Sequence, residues 1–150
     1  MDIGAAIAGL RNARGMSQQT LADSLSVSRE LVSKWESGSR RPDYPMIERI
    51  AEIFEVDPDL IADKNGIIFE ELSECVRGCD DISEERLSEL VGRFLKSNNQ
   101  KESGMFIQRY YYLKNTDEIS RIFGVRENQV RSLLSRTRKK LRRYVKENQA

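Results

Sequence analysis

The side chains able to do chemistry fall into two sets. Cys75 and Cys79 are the only thiols in 150 residues, and histidine is absent. Two cysteines four positions apart, without a further Cys or His, cannot complete a structural zinc site from one chain. They read as reduced thiols, and nothing near them supports a redox pair. Without histidine the commonest general base is missing. No nucleophile constellation, phosphate-binding loop or paired-carboxylate motif takes its place, so neither catalysis nor a metal or cofactor is expected. The second set is cationic. Residues 126–150 hold 9 basic and 2 acidic side chains, against 8 and 12 in residues 1–70 and 8 and 10 in residues 71–125. The overall net charge of +1 therefore conceals one strongly basic segment. Such a segment is the electrostatic footprint of a nucleic-acid partner, because Lys and Arg neutralise phosphates and release their counterions.

Side chains of this kind need rigid elements to present them. One pattern occurs twice, 98 residues apart: Leu21-Ala22-x-x-Leu25-Ser26-Val27 followed by Val32 and Trp35, and Ile119-Ser120-x-x-Phe123-Gly124-Val125 followed by Val130 and Leu133. Each copy describes a short helix, a turn, and a second helix with apolar residues five and eight positions past the valine. This is the signature of a helix-turn-helix, in which one of two steeply crossed helices can enter the DNA major groove.

Amphipathic runs flank both copies. From Asp2 to Asp63, five helices are expected. Ile3, Ile7 and Leu10 share a face of the first, which ends near Gly15. Ser17 and Ser28 are N-caps for the second and third. Ile47, Ile50, Ala51 and Phe54 have the spacing of a fourth helix, and Asp57-Pro58 opens a short fifth with Leu60 and Ile61. In the segment that follows, Asn65-Gly66 signals a turn, while Ile67, Ile68, Phe69, Leu72 and Val76 suit a strand-like stretch or a short docked helix. From Asp81 to Asn148, four helices are expected. Ser83 caps one carrying Leu87, Leu90, Val91, Phe94 and Leu95. Another carries Met105, Phe106, Ile107, Tyr110 and Leu113. Thr116 caps a third with Ile119, Ile122 and Phe123 inward, and the fourth runs some 20 residues from near Arg126. Without β-alternation the fold class is all-α, with two small helical domains at 1–63 and 81–150 joined by a linker at 64–80. No apolar run approaches the ~20 residues needed to span a bilayer, and Met1-Asp2-Ile3-Gly4 does not read as a signal peptide, so no membrane partner and a cytoplasmic location are expected.

Residues 2–63 resemble the lambda-repressor/Cro-like helix-turn-helix family. Ser17-Gln18-Gln19-Thr20-Leu21-Ala22 is similar to that family's second helix, and Val27 to Gly38 to its recognition helix. Arg40-Arg41-Pro42 and Ile50-Ala51-Glu52-Ile53-Phe54 match the loop and helix after it. Ser26 departs from the turn glycine usual in the family, and serine is strained there if φ is positive. The resemblance implies that Gln18 reaches a phosphate and braces the recognition helix. It implies that Arg29, Glu30, Ser33 and Lys34, with the cap Ser28, face the groove, where Arg suits guanine edges and Glu accepts from cytosine. Ser37 and Arg40 would touch the DNA backbone. Trp35 reads as a core residue.

The second block resembles region four of RNA polymerase sigma factors, which reads an upstream promoter element. The similarity runs through Phe106-Ile107-x-Arg109-Tyr110, Asp117-Glu118-Ile119-Ser120-x-x-Phe123-Gly124-Val125 and, most specifically, Val130 to Arg142. Arg126 departs from the Ser/Thr cap usual in that family. The resemblance implies base contacts from Glu127, Asn128, Gln129, Arg131 and Ser132 at the start of the last helix, with Arg126 beside them. Phosphate contacts would come from Arg136, Arg138, Lys139, Arg142 and Arg143, with Thr116 and Arg109 adding more. Tyr110, Tyr111 and Tyr112 read as packing. The clamp-binding and promoter-melting region of a working sigma factor is replaced by the first block, so initiation by this chain alone is not expected.

Together these features imply a sequence-specific, DNA-binding transcription regulator of bacterial or phage type with two reading modules on double-stranded DNA. The alternative is an adaptor whose second block contacts RNA polymerase core or an anti-sigma-like protein while the first holds DNA. An enzyme such as a recombinase finds no supporting residue cluster. Monomer and homodimer both stay open, although the first family often pairs as dimers.

Overall fold

Side-chain caps decide where most of the helices begin. In the computed structural model, which describes residues 2–79 and 81–149, Ser17 accepts from the Thr20 amide at 3.0 Å and Ser28 from the Leu31 amide at 3.1 Å. Asp2, Asp43, Ser83 and Asn99 act in the same way. Each satisfies a backbone N–H that has no partner inside its helix. Met1, Asp80 and Ala150, on which expected domain limits fall, lie outside the described residues. Among the described residues there is no strand, as the all-α reading requires.

The chain divides into two compact units, Met1–Lys64 and Asn65–Ala150. The first contains α1 (Ile3–Ala13), α2 (Gln18–Leu25), α3 (Arg29–Ser37) and α4 (Tyr44–Phe54). Helix α3 packs on α1 and α2, and α2 also meets α4. Ile7, Leu21, Ala22, Val32, Trp35, Ile47, Ile50 and Phe54 form the buried interior. The expected fifth helix is only a three-residue 3-10 turn, Pro58–Leu60, opened by Asp57. Leu60 points to solvent there, while Ile61 is buried.

The second unit contains α5 (Lys64–Cys75), α6 (Glu84–Ser97), α7 (Gln100–Tyr110), α8 (Thr116–Phe123) and α9 (Glu127–Asn148), of which α5 starts at the last residue of the first unit. Residues 64–80, expected as a linker, thus carry a 12-residue helix. Its Leu72 and Cys75, with Val76, pack into one cluster with Leu87, Leu90, Val91, Phe94, Phe106, Tyr110, Leu141 and Val145. The apolar residues that made this stretch a poor linker are what hold it in place, since each large apolar side chain fully buried is worth about 1.5–3 kcal/mol. A second cluster joins Met105, Ile119, Val130 and Leu134. Helix α9, at 22 residues roughly 33 Å long, runs through both. Thr137 sits between them on the same face, fully buried, its hydroxyl donating to the Leu133 carbonyl at 2.8 Å.

Two local expectations are corrected. Asn115, not Thr116, caps α8: its side chain accepts from the Glu118 amide and the Glu118 carboxylate accepts from the Asn115 amide, a reciprocal capping box that places Thr116 at the first helical position. Ile122 does not turn inward but is 54% exposed. Of its apolar residues, the eight-residue α8 directs Ile119 and Phe123 to the interior, and residue 122 lies a further 100° around the helix from Phe123.

Candidate nucleic-acid interface

The two repeated sequences adopt the same local backbone. Helices α2 and α8 are each eight residues long, and α3 and α9 each begin four positions after the helix before them ends. Between them stands one left-handed residue, Ser26 at φ 58°, ψ 42° and Gly124 at φ 66°, ψ 35°. The valine after it donates back to the small residue of the first helix, Val27 to Ala22 and Val125 to Ser120, both at 3.0 Å. Ala22 is fully buried and Ser120 nearly so, which is where a larger side chain would separate the helices. Ser120 meets its own polar need by donating to the Asp117 carbonyl at 2.7 Å. Ser26 bears the steric cost of a Cβ in the left-handed region, which glycine avoids. Ser26→Gly is therefore expected to stabilise the first unit by about 0.5–1 kcal/mol, measured by denaturant unfolding followed through Trp35, the chain's only tryptophan.

In the first unit a polar network locks α3 in place. Arg11 on α1 grips Glu36 on α3 with two hydrogen bonds, Nε to Oε2 at 2.7 Å and Nη2 to Oε1 at 2.9 Å, and donates a third to the Met16 carbonyl at 2.8 Å. Gln18 at the start of α2 donates to the same carboxylate at 3.1 Å. One carboxylate thus ties three helices together. Burial works against its charge, but the hydrogen bonds from Arg11 and Gln18 and the nearby guanidinium outweigh it, holding the Glu36 carboxyl below its ordinary value of 4.5. Because the folded value is the lower one, this contribution is complete above that ordinary value and is lost as pH falls through the folded one. Stability measured through Trp35 should drop below about pH 4.5, and Glu36→Gln should flatten that drop while lowering stability at neutral pH. An unchanged acid limb in the variant would place the sensitivity elsewhere.

The exposed side of α3 carries Arg29, Glu30, Lys34 and Ser37, with Ser33 half-buried. Ser28 is exposed and serves as the cap. Arg40 follows in a loop held to the last turn of α3, since its amide and the Ser37 and Ser39 hydroxyls all donate to the Lys34 carbonyl. The acidic balance of this block is locally misleading. Asp2, Asp43 and Asp57 are helix caps, and Glu36 is paired. Several cations are internal too: Arg14 closes α4 at the Ile53 and Phe54 carbonyls, and Arg49 donates to the Leu25 carbonyl. Arg29, Lys34 and Arg40 make no ion pair among the described residues, and all three are exposed.

The start of α9 presents the second surface. Asn128, Gln129, Arg131 and Ser132 are exposed, and Glu127 is half-buried and paired with Arg131 at 2.7 Å. Arg126 is the N-cap position. It lacks a capping side chain, but its amide donates to Gln129 Oε1 at 2.9 Å. Farther along, the basic residues separate into two classes. Arg138 donates to the Tyr110 hydroxyl at 3.1 Å, Lys140 to both oxygens of buried Glu102, and Arg142 to the Cys75 carbonyl at 3.2 Å. Arg109 pairs with Glu71 at 2.7 Å, and Thr116 is half-buried. Arg126, Arg136, Lys139, Arg143 and Lys146 are exposed and make no ion pair among the described residues. Asn128, Ser132, Lys139, Arg143 and Lys146 recur at helical spacing opposite the buried Val130, Leu134, Leu141 and Val145, forming one polar and basic stripe.

Neither thiol belongs to this surface. Burial pushes the Cys75 thiol up, so it stays protonated. Burial, then Cys75 itself, pushes the Tyr110 hydroxyl up to about 12. Among the described residues, no group of three or more Cys, Asp or Glu could hold a metal ion, and no helix is long and apolar enough to cross a membrane. The Arg11–Glu36–Gln18 network and the Glu102–Lys140 pair carried no sequence signal, being joined across 18 to 38 positions.

Comparison with known proteins bears on the first unit. A helix-turn-helix family model matches residues 7–61. The chain is 40% identical over 50 residues to the HTH-type transcriptional activator BcrR of Enterococcus faecalis, covering 33% of this chain and 24% of that protein. It is 32% identical over 63 residues to the uncharacterized HTH-type transcriptional regulator YqaE of Bacillus subtilis (strain 168), covering 41% of this chain and 54% of that protein. The chain thus spans about a quarter of one relative and about half of the other. No solved structure gives a significant match. The family match, the relatives and the geometry of α2 and α3 agree: the first unit carries a helix-turn-helix domain of the Cro/lambda-repressor-like kind.

Proposed function

We propose that the chain is a sequence-specific DNA-binding transcription regulator with two reading modules, acting in the cytoplasm. Helix α3 serves the first module and the start of α9 the second, and α5 belongs with the second. The observation that carries this reading is the repeated turn, which leaves two exposed polar helix faces bordered by unpaired cations. Arg29, Glu30, Ser33 and Lys34 on one and Asn128, Gln129, Arg131 and Ser132 on the other are base-edge readers by chemistry. Ser37 and Arg40, and Arg136, Lys139 and Arg143, supply phosphate contacts. The match of the first unit to transcription regulators supports the first half of this assignment, and the basic stripe of α9 supports the second. Tethering raises the effective concentration of one module once the other is bound, so a composite site is expected.

Selection of bound sequences from a random DNA pool tests this. The full chain should enrich a two-part motif, Arg29→Ala with Lys34→Ala should erase one part, and Arg131→Ala with Ser132→Ala the other. Failure to enrich any motif at low salt would refute DNA reading. A second reading makes the second unit a protein adaptor contacting RNA polymerase or an anti-sigma-like partner. Its support is the exposure of Ile122 and of Tyr112, at 54% and 56%. Co-purification with core polymerase that Ile122→Ser abolishes would favour it over the second DNA module.

A further inference from the structure

The surface at the start of α9 continues onto a helix outside the helix-turn-helix. A cleft of about 280 Å³ lies between the first turns of α7 and of α9. Met105 and Leu133 contribute to its apolar lining, and Lys101 and Arg136 bring two cations to it. Asn128, Gln129 and Ser132 add polar groups, and no carboxylate lines the cleft. Two acids adjoin the lining residues in sequence: Glu102 is buried and held by Lys140 and Asn98, although Arg136 feels its charge, and Glu127 is paired with Arg131. The Gln129 side-chain oxygen is already occupied by the Arg126 amide, which leaves its NH2 group as the free end. Lys101 is exposed, makes no ion pair among the described residues, and its amide is capped by Asn99 at 2.8 Å. The positive character of the cleft therefore comes from side chains rather than from an open helix end. Lys101 and Arg136, with no carboxylate in the lining, form a receptor for an oxyanion.

We propose that this cleft takes a backbone phosphodiester of the DNA strand beside α9, with Lys101 of α7 as an anchor outside the recognition helix. The proposal rests on DNA reading by the second module. It explains how α9 can be held at a fixed depth: a phosphate clamped between α7 and α9 sets register without adding sequence information.

The test uses the full chain and its selected DNA site, with affinity measured across salt concentrations for wild type, Lys101→Ala and Lys101→Arg. Lys101→Ala should weaken binding roughly three- to tenfold at 0.1 M salt, equally for the selected site and for unrelated DNA, and reduce the salt slope by about one ion. Lys101→Arg should restore both. If wild type binds DNA and Lys101→Ala changes neither affinity nor slope, the cleft proposal fails while the DNA reading stands. If wild type binds no DNA, the reading itself fails and the phosphodiester with it. In that last case, titration with inorganic phosphate, followed by amide NMR shifts at Lys101 and Gln129, separates a small-anion site from no site, and with either result the phosphodiester proposal stays overturned.

Discussion

Gly4→Ala is expected to be the most damaging single-methyl change in the first unit. A Cβ at residue 4 would lie 2.4 Å from the Trp35 carbonyl oxygen and 2.7 Å from that of Glu36. Both are backbone atoms at the end of α3 and cannot swing aside, so α1 must move away from α3. That separation loosens the packing of Ile7 and Trp35 and strains the Arg11–Glu36 bridge. The expected loss is about 3 kcal/mol, at the upper end for overpacking, or on the order of 10–20 °C in the melting midpoint. Trp35 lies in this core and is 3% exposed, so its fluorescence isolates the first unit's transition within the full chain. Gly9→Ala on the same helix is the control, because nothing lies within 4 Å of its Cβ position. It should stabilise by about 0.5–1 kcal/mol through helix propensity. If Gly4→Ala melts no lower than Gly9→Ala, the close approach of α1 to α3 is wrong.

The second large effect separates the cations of α9. Lys139→Glu with Arg143→Glu should reduce DNA affinity on the order of a hundredfold at 0.1 M salt and flatten its salt dependence, while leaving thermal stability nearly unchanged. Both side chains are exposed and unpaired among the described residues. Lys140→Met should do the reverse. It removes the charged partner of Glu102, whose side chain is only 10% exposed, and should cost about 1–2 kcal/mol of stability with little effect on DNA affinity. Hydrogen bonding to Lys140 first, then to Asn98, outweighs burial and holds the Glu102 carboxyl below 4.5, so this penalty should shrink as the pH falls and Glu102 protonates. Equal losses of affinity in the two variants would mean that α9 acts through net charge rather than through one face.

Local sequence accounts for most of the helix limits, because their causes are local. Ser17, Ser28 and Ser83 act three positions from the amides they cap, and apolar spacing selects the face that each long helix buries. The paired helix-turn-helix units were legible for the same reason: the left-handed residue, the small packing residue and the valine lie within seven positions. Sequence also indicated that the last helix carries the positive charge. It could not show that residues 64–75 form part of the second core, since their apolar partners on α6, α7 and α9 are remote in sequence. Nor could it sort the basic residues. Arg138, Lys140 and Arg142 look no different from Lys139 and Arg143 until folding brings Tyr110, Glu102 and Cys75 beside them. Composition and periodicity determined a helical chain that uses the same turn twice. Tertiary contact alone decided which charges hold the fold and which remain free for a partner, because a charge is engaged or free according to neighbours far away in the chain.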